Sequence, residues 1–410
     1  MSVSAAGNNI AAKVTAAHQP LSLRLNFSWN LAGNIVYAAC QWGILILFTK
    51  FTSVEMVGQF ALGLAITAPV ILFSQMGLRG AQATDVRDEY HFGHYLSFRL
   101  LATAIALFVI GGIAFLGGYP TASVLVILLV GASKAVESIA DVYYGLLQRH
   151  ERMDRIARSR IVKGLLSVLG VGAVVYFTGE VIWGVLTLTV LWGVVLIVYD
   201  IRYAKATLRE HDARLRLNNA TVVSTAPEFD LSMLKPLSWL VLPLGFIQAL
   251  ISLRANIPIY FIEGHVGSAA LGIYASLAYL IIVGNTLVMA MSQACIPRLS
   301  KHYAHDEHDE FRNMIYKLVG ISACIGLAGI LIALVAGKPL LSLIYRPEYS
   351  EHLFLFLLIM VSGAISYVAS VLGYALTATR QFHLFLVPHL FITAITFLAS
   401  LLLIPHHGVM

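Results

Sequence analysis

Eleven runs of apolar residues, each about long enough to cross a ~30 Å hydrocarbon core at 1.5 Å per residue, dominate this chain. They fall at roughly 28–49, 58–78, 95–118, 121–147, 161–178, 182–202, 236–262, 268–295, 315–337, 353–376 and 383–404. The ~10-residue amphipathic alternation of a membrane barrel is missing from the sequence. Hydrophobic residues make up 59% of the 410 and charged residues 12%, at mean hydropathy +0.81, so too little polar surface remains to clothe soluble domains. The expected fold class is an all-α integral membrane protein with about 11 transmembrane helices. Cys40, Cys295 and Cys324 all sit in apolar runs, and their odd number and wide spacing fit neither a disulfide framework nor a metal site.

Basic residues set the expected orientation. With the N-terminus cytoplasmic, 22 of the 27 Lys and Arg fall on the cytoplasmic side, only Lys50, Lys338 and Arg346 fall outside, and Lys134 and Arg254 lie within helices. The net charge of +6 is thereby spent on loops, and no nucleic-acid partner is expected. Residues 1–27 lack the apolar core and cleavage site of a signal peptide and are read as a cytoplasmic lead-in. The outer connections are short, no nucleophile or carboxylate constellation stands out, and no phosphate-cradling loop occurs, so the chain is expected to be no enzyme and to use no cofactor. His302, His305 and His308 have a spacing compatible with a metal, but with their acidic neighbours they read as a solvated loop, and no metal is expected.

The longest polar stretch follows the sixth run. It divides the chain into an N-lobe at 28–202, a cytoplasmic inter-lobe linker at 203–235 and a C-lobe at 236–410. Val57-Gly58-Gln59-Phe60-Ala61 is echoed by Leu271-Gly272-Ile273-Tyr274-Ala275, an offset of 272 − 58 = 214 residues. Both lobes begin on the same side, so the repeats are expected to be parallel, about an axis along the bilayer normal. The sixth run then has no counterpart except His407-Gly408-Val409-Met410, and a twelfth helix is expected to be missing.

Asn26 to Asp85, with NFSWNLAGNIVYAACQWGILILFTKFTSVEMVGQFALGLAITAPVILFSQMGLRGAQATD, resembles the start of bacterial polysaccharide transporters, the Wzx-like oligosaccharide flippases of the MOP (MATE-like) superfamily. LRANIPIYFIEGHVGSAALGIYASLAYL, SQACIPRLSKHY and GKPLLSLIYRPEYSEH extend the resemblance over nearly the whole chain. It implies two six-helix lobes in a MATE-like V around a cavity bordered by the first, second, seventh and eighth helices. It also implies alternating access and a polyprenyl-diphosphate-linked oligosaccharide as cargo, moved from the cytoplasmic to the outer leaflet of the bacterial inner membrane. Such a flippase serves synthesis of a cell-surface glycan such as O-antigen lipopolysaccharide or exopolysaccharide. Its expected partners are that cargo, membrane lipid and the glycan polymerase or ligase machinery. An ion-coupled drug exporter of the same fold and a noncatalytic scaffold of a glycan-assembly complex are the alternatives.

Several residues fit an anionic, sugar-bearing cargo. Arg254 lies in the seventh run, about eight residues from its outer end, where a charge needs a cavity or a partner. Its planar fork of donors suits a diphosphate, and the competing reading is a packing role. Lys134, Glu137 and Asp141 share one helix face, with Gln148 further along, as a salt-bridged stripe or as cargo and ion-coupling groups. Asn34, Gln41, Gln248 and Asn256 are read either as hydrogen-bond partners of sugar hydroxyls or as interhelical glue. Arg79 and Arg99 mark the inner ends of the second and third helices.

Overall fold

The computed structural model describes residues 23–85, 89–216, 226–378 and 383–408. The lead-in up to residue 22, the middle of the expected linker (217–225), Arg87 and Arg380 of the charge count, and Val409 and Met410 lie outside the described residues. Every regular element among the described residues is a helix. In order these are α1 (Leu23–Phe51), α2 (Val54–Gln75), α3 (Leu78–Thr84), α4 (Phe92–Leu116), α5 (Thr121–Arg149), α6 (Met153–Thr178) and α7 (Val181–Val195). A π-helical segment (Leu196–Asp200) joins α7 to α8 (Ile201–Arg216), and α9 (Leu231–His265), α10 (Ser268–Tyr279), α11 (Ile281–Ala304) and α12 (His308–Ile344) follow. A 3₁₀ turn (Pro347–His352) leads to α13 (Leu353–Ala378) and α14 (His383–His407). Ten stretches are long and apolar enough to cross a membrane, and Leu390–His406 within α14 adds a shorter apolar helix. The protein is a multi-pass membrane protein.

Helix is the state that satisfies each backbone N–H and C=O inside its own segment, as hydrocarbon requires. The stops are local. Gly118 (φ 69°) and Pro120 separate α4 from α5, and Gly179 (φ 67°) separates α6 from α7. Asp230 opens α9 by accepting from the backbone N–H of Ser232 at 2.9 Å and from its hydroxyl at 2.7 Å. Those donors hold the Asp230 carboxyl below its ordinary range.

The helices depart from the apolar runs in three places. The arginine-rich stretch between the 121–147 and 161–178 runs is mostly the first turns of α6, a helix that carries Arg155 and Lys163 into buried positions. The second run ends at Gln75, where Met76 and Gly77 turn left-handed (φ 47° and 60°) before α3. The eighth run is broken at Leu280 into α10 and α11. Hydropathy registers apolar length and is blind to backbone breaks inside it and to polar helix outside it.

The chain forms two compact units. The first is Met1–Ile44, Thr67–Phe177 and Ile182–Ala249, and the second is Leu45–Ile66, Thr178–Val181 and Leu250–Met410. In the first, α3, α4 and α5 pack around Leu78, Phe92, Tyr95, Tyr143, Leu147 and Leu237. In the second, α11, α12 and α13 pack on one another around Ala333, Leu341, Tyr349, Phe356 and Val371. The second unit also contains the echoed glycines. A Cβ on Gly58 would strike the carbonyl of Ser268, and one on Gly272 would strike the carbonyl of Val54. Since 268 − 54 and 272 − 58 are both 214, the crossing is symmetric about the offset seen in the sequence. Glycine at both points lets the two backbones touch.

Candidate functional site

The first unit holds a chain of buried and half-buried charges on α2–α3, α4, α5, α6 and the π segment. It starts from close helix contacts. A Cβ on Gly33 of α1 would lie 2.7 Å from the Ala157 Cα of α6, and one on Gly164 would lie 3.0 Å from the Cys40 Cβ. This approach sets Asn34, Tyr37 and Gln41, spaced three and four along α1, beside the polar faces of α5 and α6. Gln41 Nε2 donates to Tyr37 Oη at 2.9 Å, and the Tyr37 hydroxyl donates to Glu137 Oε1 at 2.9 Å. Lys134 Nζ reaches Glu137 Oε2 at 2.8 Å, while Arg160 donates to Asn34 Oδ1.

Asp141, one turn along α5 from Glu137, receives two arginines. Arg79 Nη1 lies 3.3 Å from Oδ1, and Arg99 Nη2 lies 3.6 Å from Oδ2. Arg79 Nε also donates to Gln148 Oε1 at 2.9 Å, and Arg99 Nη1 to Ser138 Oγ at 3.2 Å. Arg99 is 0% exposed, and its Nε and Nη2 have no hydrogen-bond acceptor among the described residues. A planar five-donor group held in this way is under-satisfied, which is costly in a buried setting.

A second buried pair lies alongside. Lys163 Nζ is 3.7 Å from Asp200 Oδ2 and donates to Tyr144 Oη at 3.1 Å; Asp200 also accepts from Ser159. Asp200 closes the π segment, a backbone irregularity often found at functional positions. Two aromatic rings gather the cations. Arg79, Arg160 and Lys163 lie 5.4–5.7 Å from the centroid of Tyr144, and Lys134 and Lys163 lie 5.2 and 5.8 Å from that of Trp192. Five cations (Arg79, Arg99, Lys134, Arg160, Lys163) thus face three carboxylates (Glu137, Asp141, Asp200). The cluster is cation-rich.

Of the residues singled out from the sequence, the structure brings Arg79, Arg99, Lys134, Glu137, Asp141, Asn34 and Gln41 into this network. Gln248 sits at the end of the first unit, with its Nε2 3.3 Å from the point a Cβ on Gly77 would take. Arg254 and Asn256 belong to the second unit. Asn256 Nδ2 bonds the Ser252 carbonyl at 2.8 Å on its own helix, while Arg254 is half-buried and has no carboxylate partner among the described residues. Tyr37, Tyr144, Lys163, Asp200 and Trp192 were missed. Asp200 carries a signal, an acid near the end of the apolar run 182–202, whereas Lys163 is hidden among the cytoplasmic Lys and Arg of the charge count. His302 lies 2.6 Å from Glu307, and no group of three metal-type ligands occurs among the described residues.

The helical arrangement is similar to that of solved MATE transporters. An inward-facing multidrug resistance MATE family transporter of the MOP superfamily aligns at TM-score 0.63 and 15% identity, over 90% of this chain and 87% of that one. A MATE protein in complex with MaL6 aligns at TM-score 0.58 and 15% identity, over 95% and 89%. The family model for polysaccharide biosynthesis proteins matches residues 23–303, and the chain belongs to that family. The capsular polysaccharide biosynthesis protein CapF of Staphylococcus aureus is 27% identical over 387 residues, 94% of this chain and 93% of that protein. The resemblance to polysaccharide transporters is thus supported by family and relative, and the MATE-like fold by the solved structures.

Proposed function

We propose that this protein carries a polyprenyl-diphosphate-linked oligosaccharide from the cytoplasmic to the outer leaflet of the bacterial inner membrane by alternating access of lobes 28–202 and 236–410. Membership of the polysaccharide biosynthesis family supports a glycan cargo. The observation that carries the anionic headgroup is the pair of arginines on one carboxylate, with two buried guanidinium nitrogens of Arg99 making no hydrogen bond among the described residues. A diphosphate supplies acceptors of the required kind, and arginine is the side chain best shaped to take them. The sugars and phosphates cannot cross hydrocarbon unaided, because their bonds to water would go unreplaced, whereas the lipid tail can stay in the membrane.

Arg254 is the matching cation of the C-lobe in this reading, with Asn256 two residues further along the same helix. A cation-exporting transporter would place unpaired acids in the N-lobe, whereas Glu137, Asp141 and Asp200 each lie beside a cation. The cytoplasmic N-terminus is supported by the 22 to 3 bias of basic residues.

The first experiment measures leaflet accessibility of the lipid-linked oligosaccharide in cells lacking this protein and in cells re-expressing it. Accumulation on the cytoplasmic face, relieved by re-expression, is expected, and an unchanged distribution in a strain without a redundant transporter overturns the reading. Arg254→Ala should lower export roughly 10- to 100-fold at unchanged membrane abundance, the range for loss of a hydrogen bond to a charged group. Export at the wild-type rate would remove Arg254 from the site.

A further inference from the structure

The first unit contains a crevice of about 730 Å³ between the last turns of α2, the middle of α4 and the start of α9. Its volume lies within the ~300–1,000 Å³ typical of ligand sites. Pro69, Phe98, Leu101, Ile105 and Leu234 are among the residues forming its walls. Leu101 and Ile105 are 44% and 64% exposed, so no other helix among the described residues closes the wall on α4.

Polar groups are few, and most are spent. Ser74 Oγ donates to the Ile71 carbonyl at 2.8 Å and Ser238 Oγ to the Lys235 carbonyl at 2.7 Å, so both lining hydroxyls are satisfied within their own helices. What remains is the ammonium of Lys235, the one charged residue of the lining, exposed and without an ion-pair partner among the described residues. An apolar slot with a single cation at the start of α9, near the membrane boundary, is complementary to a hydrocarbon chain with an anionic head.

The slot adjoins the cationic cluster across α4. Phe98 lines it, while the next residue, Arg99, reaches Asp141 and Ser138 on α5, so α4 is the wall shared by the two. Met76 lines it as well, and Arg79 follows three residues later.

We infer that this crevice holds the polyprenyl chain of the lipid-linked cargo, with Lys235 facing its diphosphate before the headgroup meets Arg79 and Arg99. This rests on the transport reading above. An ordinary phospholipid would fill the slot without preference, and the test is built on that difference.

The full-length protein is placed in nanodiscs of phosphatidylethanolamine and phosphatidylglycerol and photolabelled with diazirine-bearing undecaprenyl diphosphate, which carries no sugar. Labelled peptides are identified by mass spectrometry. Labelling is expected on residues 98–109 and 231–238, competed by unlabelled undecaprenyl diphosphate and not by added phosphatidylglycerol. Ile105→Trp, at a bilayer-exposed position, should cut that labelling about tenfold, the ratio commanded by burial of roughly two methylenes. Lys235→Gln should weaken labelling by the diphosphate probe while leaving a neutral undecaprenol probe unaffected.

Equal labelling of these peptides by a diazirine-bearing phosphatidylglycerol, or labelling that survives Ile105→Trp, overturns the assignment. If the probe labels other helices while re-expression still relieves glycan accumulation in cells, the crevice assignment falls and the transport reading stands. If the crevice labels as expected and accumulation is unchanged, the transport reading falls and the crevice remains a polyprenyl-diphosphate site.

Discussion

Lys163 and Asp200 define a test of what buried charge does in this protein. Lys163 is 2% exposed and Asp200 is fully buried. Removing one member of such a pair leaves an uncompensated charge and costs about 3–5 kcal/mol, whereas replacing both with apolar residues of similar volume is often neutral. Lys163→Met should therefore lower membrane abundance and thermal stability sharply, and Lys163→Met with Asp200→Leu should restore both. Tyr144 and Ser159 lie 2.8 Å apart and should keep each other as hydrogen-bond partners in the double variant. We expect export to return with abundance, which makes the pair a scaffold for Tyr144 and the arginines near it; an abundant double variant that does not export would assign the pair to transport. The Asp141 side should behave differently, because Arg79 and Arg99 share that single carboxylate. Asp141→Asn strands two arginines, so a larger fall in abundance than for Gln148→Ala is expected by immunoblot of membranes. The sequence displayed Asp141 and Glu137 because helical spacing puts them on one face with Lys134. It hid Tyr37 and Tyr144, since a tyrosine in an apolar run looks like core until the group facing its hydroxyl is known.

At the scale of elements, the glycine crossing of α2 and α10 carries the firmest expectation. Gly58 and Gly272 each face a backbone carbonyl, which cannot swing aside as a side chain can. Gly58→Leu should cost at least the ~1–3 kcal/mol typical of overpacking and lower the melting temperature of the detergent-solubilised protein. Gly193→Leu on α7, where a Cβ meets nothing within 4 Å, is the matched control and should leave it within a degree or two. Equal melting of the two variants would mean that the α2–α10 contact does not bear on stability. The echo of five residues was visible in the sequence, but its meaning was not. Only the structure shows that the two glycines meet each other's helix and not separate neighbours. The helices themselves were legible to within a turn or so where apolar length alone defines them, as in α5. The readings missed where polar residues continue a helix beyond the hydrocarbon, as at the start of α6, or where a left-handed residue such as Met76 breaks an apolar run.

For the whole molecule, what the sequence states most strongly is orientation, because the positive-inside bias acts on many loops at once and survives errors in any one boundary. The buried basic residues test that robustness. Arg99, Arg155 and Lys163 belong to the cytoplasmic 22 yet are buried, and moving all three leaves 22 − 3 = 19 against 3. The conclusion therefore does not depend on them. Glu180, exposed between α6 and α7, and Glu310, exposed at the start of α12, fall on opposite sides of the membrane by the alternation of the spans. In a background with Cys40, Cys295 and Cys324 replaced, Glu180→Cys should react with a membrane-impermeant maleimide in intact spheroplasts, and Glu310→Cys only after permeabilisation. The reverse pattern would place the N-terminus outside and turn the crevice at Lys235 toward the outer leaflet. Cargo would then have to enter from the wrong face, so this labelling decides whether an exporting direction is open to the protein at all.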